Sequence, residues 1–133
     1  MSAKFNVDKY MDNQLRFCLV VSGRNNTQNN RHYKNLKTIF AQDYSNLYVV
    51  YIDDVSDDAT MAEAMAFTRQ QKFPKEKIVF VQNINRKFAS YNTVNAAFNF
   101  CDEDDIQVKF DADDELVGRH AISVLNAVYQ QHP

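Results

Sequence analysis

Strand-like apolar runs alternate with helix-periodic segments four times along this chain, and few architectures accept that order. "LRFCLVV" (Leu15–Val21) is a continuous apolar run of the kind a strand buried on both faces shows. After the polar loop Gly23–Arg31, Tyr33, Leu36, Ile39 and Phe40 recur at helical spacing. "NLYVVYI" (Asn46–Ile52) is a second strand. The next helix carries Met61, Ala64, Met65 and Phe67 near one face, with Thr60 or Asp58 as its N-cap. "KIVFVQN" (Lys77–Asn83) is a third strand, and Ala89–Phe100 a third helix with Tyr91, Val94, Ala97 and Phe98 on its stripe. "IQVKF" (Ile106–Phe110) is a fourth strand, and His120–Gln130 a last helix on Ile122, Leu125 and Val128. Such alternation specifies βαβ units around a mostly parallel sheet. Lys109, within the fourth strand, marks a partly exposed face.

A chain of 133 residues, 45% hydrophobic and 24% charged, suits one folded domain with one core, preceded by a polar lead-in over residues 1–13. No linker or repeat divides it. The net charge of −2 gives no reason to expect nucleic acid as a partner. No apolar run approaches the ~20 residues of a membrane span, and the first residues lack a signal-peptide core. The chain therefore reads as soluble and cytoplasmic. Cys18 and Cys101 have neither metal-ligand spacing nor disulfide-framework density, and read as reduced core residues. His32, His120 and His132 read as surface residues, and no nucleophile–histidine arrangement emerges.

The acidic residues are unevenly placed. Of 17, four lie in Asp53–Asp58 and eight in Asp102–Glu115. In open α/β sheets ligands bind beyond the carboxyl ends of the strands. Asp53 and Asp54 follow the second strand, and Asp111, Asp113 and Asp114 follow the fourth. In an extended segment Asp111 and Asp113 point to one side and Asp114 to the other. Two carboxylates offering only oxygen suit a hard divalent cation, Mg²⁺ or Mn²⁺. A solvated acidic loop that caps the next helix is the alternative. An EF-hand fits poorly, because Leu116 stands where that loop needs glycine and its later Glu is missing.

Asp53 and Asp54 are placed to accept from a ring N–H of a bound base, whereas Ser56–Thr60 read as helix capping. The pair Arg86–Lys87, between the third strand and third helix, is a candidate for a diphosphate, and Arg24 and Asn25 after the first strand are candidates of the same kind. Gly23 and Gly118 are the chain's two glycines, so neither GxGxxG nor a P-loop is present. Any phosphates would have to be held by side chains and a metal.

The order of these segments resembles the donor-nucleotide half of family 2 glycosyltransferases with the GT-A fold, over roughly residues 16–130. "DDVSDDAT" is similar to that family's DDxSxDxT, and "DADD" to its metal-binding DxD, with the helix of "ASYN" between them. The resemblance implies a Rossmann-like three-layer α/β/α sandwich that ends soon after the DxD segment. It implies transfer of a sugar, with inversion, from a nucleotide-diphosphate sugar (a UDP-sugar) to a sugar, lipid or protein acceptor. In that scheme Asp54, with Asp53, holds the base. Arg86 or Lys87 lies near the nucleotide, and Asn92 matches the Asn of the third helix. Asp111 lies by the ribose or metal, and Asp113 ligates Mn²⁺ or Mg²⁺. The chain departs from the pattern in lacking Pro after the first strand and in having Tyr91 before Asn92. The family's general base and acceptor half follow DxD by many tens of residues, so no residue here is assigned as that base. A non-catalytic binding or interaction module is the alternative reading. A receiver-like signalling domain would need its acidic pair after the first strand instead.

Overall fold

Every residue from Phe17 to Ser22 is buried because strand β1 (Phe17–Gly23) is paired on both sides. The computed structural model describes residues 6–133 and places four strands in one sheet, in the order β3-β2-β1-β4, all parallel. β2 spans Leu47–Asp53, β3 Ile78–Gln82 and β4 Ile106–Asp111. Four helices alternate with them: α1 (Arg31–Phe40), α2 (Thr60–Gln70), α3 (Phe88–Asn99) and α4 (Ala121–Gln131). Residues 1–5 of the expected lead-in lie outside the described residues. Val7–Tyr10 form a 3₁₀ turn, and the Tyr10 carbonyl accepts from Asn126 Nδ2 of α4 at 3.2 Å.

Successive strand residues point to opposite faces. Phe17, Leu19 and Val21 join Leu36 and Ile39 of α1, Met61 and Ala64 of α2 and Ile122 of α4 in the larger core. Cys18 and Val20 face the other way, with Val50, Ile52 and Ala96 of α3. The result is an α/β/α sandwich with three helices on one face and α3 on the other. β4 is half-buried: Ile106, Val108 and Phe110 touch the larger core, whereas Gln107, Lys109 and Asp111 are exposed.

Several sequence expectations need correction. β1 runs to Gly23 rather than Val21, because its ladder with β2 continues through Ser22–Ile52 and Gly23–Asp53 past the apolar run. Cys18 and Cys101 are not reduced: they form a disulfide across 83 residues. Sequence spacing cannot show that α3 brings Cys101 back onto the face of β1 that carries Cys18. His32 is fully buried, its Nε2 2.9 Å from Glu63 Oε1, because α1 and α2 pack together there. The apolar stripe of α3 is not its buried face. Tyr91, Val94 and Phe98 are exposed, and the helix turns Asn92 and Ala96 to the sheet. Asn92 lies inward because Asn83 Nδ2 donates to its Oδ1 at 2.8 Å, and its Nδ2 donates to Ser22 Oγ at 3.3 Å.

Candidate functional site

β2 and β3 build outward from one side of β1, and β4 then returns to the other side. The connection leaving β3 therefore crosses to the face opposite the helices that follow β1 and β2, and such switch points open a crevice. A cleft of ≈ 340 Å³ lies there, floored by Ser22 and Gly23, with Asp111 and Asp113 on one wall and Asp54, Arg86 and Phe88 on the other. Its size is within the range of small-molecule sites. A larger groove of ≈ 580 Å³ between α1 and α2 lies on the helix layer and carries Glu63 as its one carboxylate.

Gly23 is required by close approach. A Cβ there would lie 2.5 Å from Asn26 Nδ2 and 2.7 Å from Ala112 Cβ. The glycine thus lets the turn after β4 sit against the loop after β1, bringing the acidic wall to the cleft floor. The Ala112 amide donates to the Ser22 carbonyl at 3.0 Å and fixes that approach.

The loops after β1 and β2 are stitched together. The Asn25 amide donates to Ser56 Oγ (2.9 Å), the Asp57 amide to Asn25 Oδ1 (2.7 Å) and the Asn26 amide to Thr60 Oγ1 (2.9 Å). Arg24 lines the cleft, but its Nε donates to the Val55 carbonyl and its Nη2 to Asp57 Oδ2 at 2.6 Å. Val55 is held at φ 64°, a strained conformation for a β-branched residue. Asp58 accepts from the Thr60 amide, Thr60 Oγ1 and Thr27 Oγ1. Burial pushes its carboxyl up, but these hydrogen bonds prevail and lower it to about 2. The N-cap of α2 is Ala59, which makes no side-chain cap, rather than Asp58 or Thr60. Ser56–Thr60 serve mainly as a clasp between loops.

Asp54 is 4% exposed and is the hub of the far wall. Its Oδ1 accepts from Asn83 Nδ2 at 2.9 Å and the Lys87 amide at 2.8 Å. Its Oδ2 accepts from Arg86 Nε at 3.1 Å and the Phe88 amide at 2.8 Å. Burial raises its pKa, but the bonds from Asn83, the two amides and Arg86 outweigh that and bring it to about 2. A carboxylate has about four lone-pair sites, and all are filled here. Asp53 is 1% exposed, and both its oxygens accept from Ser56, one from the amide at 3.2 Å and the other from the hydroxyl.

The acidic wall differs in kind. The Asp114 amide donates to the Asp111 carbonyl at 3.0 Å, so the segment turns instead of staying extended. Ala112 is buried by the turn, and one carboxylate oxygen from each of Asp111, Asp113 and Asp114 comes within 4.8 Å of the others. The expectation that Asp114 points away is thereby corrected. All three residues are exposed. Asn35 of α1, fully buried, donates from Nδ2 to the Asp114 carbonyl at 2.8 Å and anchors the turn from below.

Of the predicted residues, the cleft brings together Arg24, Asp54, Arg86, Asp111 and Asp113. Asn25, Asp53 and Asn92 brace it from behind through the bonds above. Lys87 contributes its amide to Asp54, and its Nζ lies over the Tyr91 ring at 5.2 Å. The sequence reading missed Gly23, whose rarity was a usable signal, and Asn35, Asn83 and Phe88, for which no spacing signal exists.

No family model matches the chain, and no curated protein matches it. Solved structures do. A mannosyltransferase from Pyrobaculum calidifontis, in complex with GDP-Man and Mn²⁺, superposes with a TM-score of 0.73 at 22% identity, over 86% of this chain and 32% of that one. TarS of S. aureus (residues 1–349), in complex with UDP-GlcNAc, superposes with a TM-score of 0.70 at 18% identity, over 89% of this chain and 32% of that one. A longer TarS structure gives a TM-score of 0.69 over 89% of this chain and 20% of its own length. The chain thus spans about a third or less of the structures it matches. At these identities the likeness establishes one thing, that the four-stranded parallel α/β/α unit has the fold of GT-A glycosyltransferases.

Proposed function

We propose that this chain binds a nucleotide-diphosphate sugar in the cleft between β1 and β4, as the donor-binding half of a family 2, metal-dependent, inverting glycosyltransferase. The observation that carries the reading is the convergence of Asp111, Asp113 and Asp114 at the switch point, with Arg86 on the opposite wall. The structural likeness to proteins in complex with GDP-Man and UDP-GlcNAc supports it. An all-oxygen donor set of exposed carboxylates fits Mg²⁺ or Mn²⁺ and would hold either with donor phosphates completing the shell. When bound, such a cation supplies Lewis-acid stabilisation of the charge that grows on the departing diphosphate. The chain's own residues prepare the place. Gly23 admits the acidic turn, Asn35 props it, and Asp54 orients the Arg86 guanidinium at the cleft edge.

Calorimetric titration with UDP and GDP, with and without Mn²⁺, tests the reading. Metal-dependent binding of a nucleoside diphosphate is expected, and its absence for every nucleotide would sink the proposal. One observation favours a second reading, a module that binds without transferring. The carboxylates lining the cleft are Asp54, which is saturated, and Asp111 and Asp113, which belong to the acidic turn. None is left as a general base among the described residues. Sugar transfer to simple acceptors by the 133-residue chain would exclude that second reading.

A further inference from the structure

We propose that the Phe88 ring, backed by the Arg86 guanidinium, is the platform on which the nucleotide base stacks, so that the base is held by its face and not read at its edge. The inference rests on the donor-binding reading above and specifies its base subsite.

Three observations converge on it. The first is the state of the two carboxylates that sequence reasoning offered to a base N–H. Asp53 is buried with both oxygens on Ser56, and Asp54 has two donors on each oxygen. Asp54 has no acceptor site left for a base edge, and Asp53 is buried behind the cleft lining, out of reach of one. The second is the ring itself. Phe88 lines the cleft and is 62% exposed, although a large aromatic at the start of a helix would bury more area by turning to the sheet. The Arg86 guanidinium lies over the ring, 4.4 Å from its centroid, covering one face. With one face taken by Arg86, the other is where a base would stack, against a ring already polarised by a cation.

The third observation is backbone conformation. Phe88 is held at φ 66°, which is unfavourable for a bulky L-residue. Its amide donates to Asp54 Oδ2 at 2.8 Å, and the Lys87 amide to Oδ1 at 2.8 Å. Asp54 thus holds the strained residue and, through Arg86 Nε, the guanidinium behind it. The hydrogen bonds that deny Asp54 to a base edge are those that aim the ring at the cleft. The acidic turn opposite takes the diphosphate, and the aromatic wall takes the base.

The test is calorimetry in Mn²⁺ with three probes (UDP, GDP and inorganic pyrophosphate) on the native chain, Phe88→Ala and Phe88→Tyr. Expected are roughly tenfold or greater losses of UDP and GDP affinity in Phe88→Ala, unchanged pyrophosphate affinity, and native affinities in Phe88→Tyr. The native chain should bind UDP and GDP within a few-fold of each other, since every base has a π-face. The platform is overturned if Phe88→Ala binds both nucleotides as tightly as the native chain, or loses pyrophosphate in parallel. A native preference between UDP and GDP well beyond tenfold overturns it too, because only an edge carries such a code. If the native chain binds pyrophosphate no more weakly than either nucleotide, the base subsite fails while the metal–diphosphate reading stands. If it binds none of the three, both fail.

Discussion

The two acidic clusters of this protein, Asp53–Asp58 and Asp111–Asp114, stand at equivalent strand ends yet do opposite work. In the first, Asp53, Asp54 and Asp58 are each met by two or more donors from their own or neighbouring loops, and Asp54 and Asp58 are lowered to about 2. In the second, three carboxylates converge with no donor from the described residues. The difference is one of satisfaction. A carboxylate surrounded by amides and hydroxyls is a structural element, whereas converging carboxylates without such donors are the arrangement on which the proposed cation site rests. Density of charge does not separate the cases; the count of donors does.

The largest effect expected from testing this contrast is at Asp54. Replacing it with Ala leaves the Arg86 guanidinium and the amides of Lys87 and Phe88 without their acceptor. Arg86, 40% exposed, can turn to water, but each amide left unpaired costs about 1–3 kcal/mol, to be read from urea unfolding. A cost under about 1 kcal/mol would put Asp54 in the same class as the exposed cluster. Gly23→Ala should follow. Its Cβ would meet Asn26 and Ala112 at 2.5 and 2.7 Å, with a loss of about 1–3 kcal/mol and weakened Mn²⁺ binding as the acidic turn is displaced. Native stability with native Mn²⁺ affinity would show that the two loops can separate freely.

Acid titration separates the clusters through linkage. A carboxyl whose folded pKa lies below its unfolded value of 3.8 contributes stability above that value. For Asp54, lowered to about 2, the contribution is complete at neutral pH and is lost as pH falls from about 4 to 2. It is worth on the order of 2 kcal/mol. Circular dichroism should place acid unfolding of the native chain in that window, with a shallower dependence on pH in Asp54→Asn; equal slopes would refute the assignment. The smallest change in stability is expected for Asp113→Asn, within about ±0.5 kcal/mol by thermal melting. The same variant should bind Mn²⁺ and nucleoside diphosphate at least about tenfold more weakly. Full Mn²⁺-dependent binding in Asp113→Asn would remove that residue from the metal site.

Much of the architecture was legible from residue order because periodicity is local. Apolar runs and helical stripes are set by which neighbours in sequence share a face, and they located all four strands and four helices to within about two residues. The exception in α3 has the same origin: its apolar stripe is regular, but the face that meets the sheet is the one bearing Asn92 and Ala96. The cleft was legible in part. That ligands gather at the carboxyl ends of open α/β sheets follows from topology alone, and Arg24, Asp54, Arg86, Asp111 and Asp113 do line one cleft there. Which of them remain free to meet a ligand was not legible, because hydrogen-bond partners 29 to 34 residues away, such as Asn83 and Phe88 for Asp54, have no sequence signature. Cys18 and Cys101 illustrate the same limit across 83 residues.

By itself, then, the sequence determined the alternation of strands and helices, the parallel sheet that alternation demands, and the two acidic clusters at strand ends. Each is a matter of residue type at short range. Tertiary structure alone decided that β4 returns beside β1, that Gly23 lets two loops touch, and that Asp114 turns in toward Asp111 and Asp113. It also decided that Asp54 is saturated from within. These depend on which distant donors reach a carboxylate first, and that is settled only when the chain has closed around it.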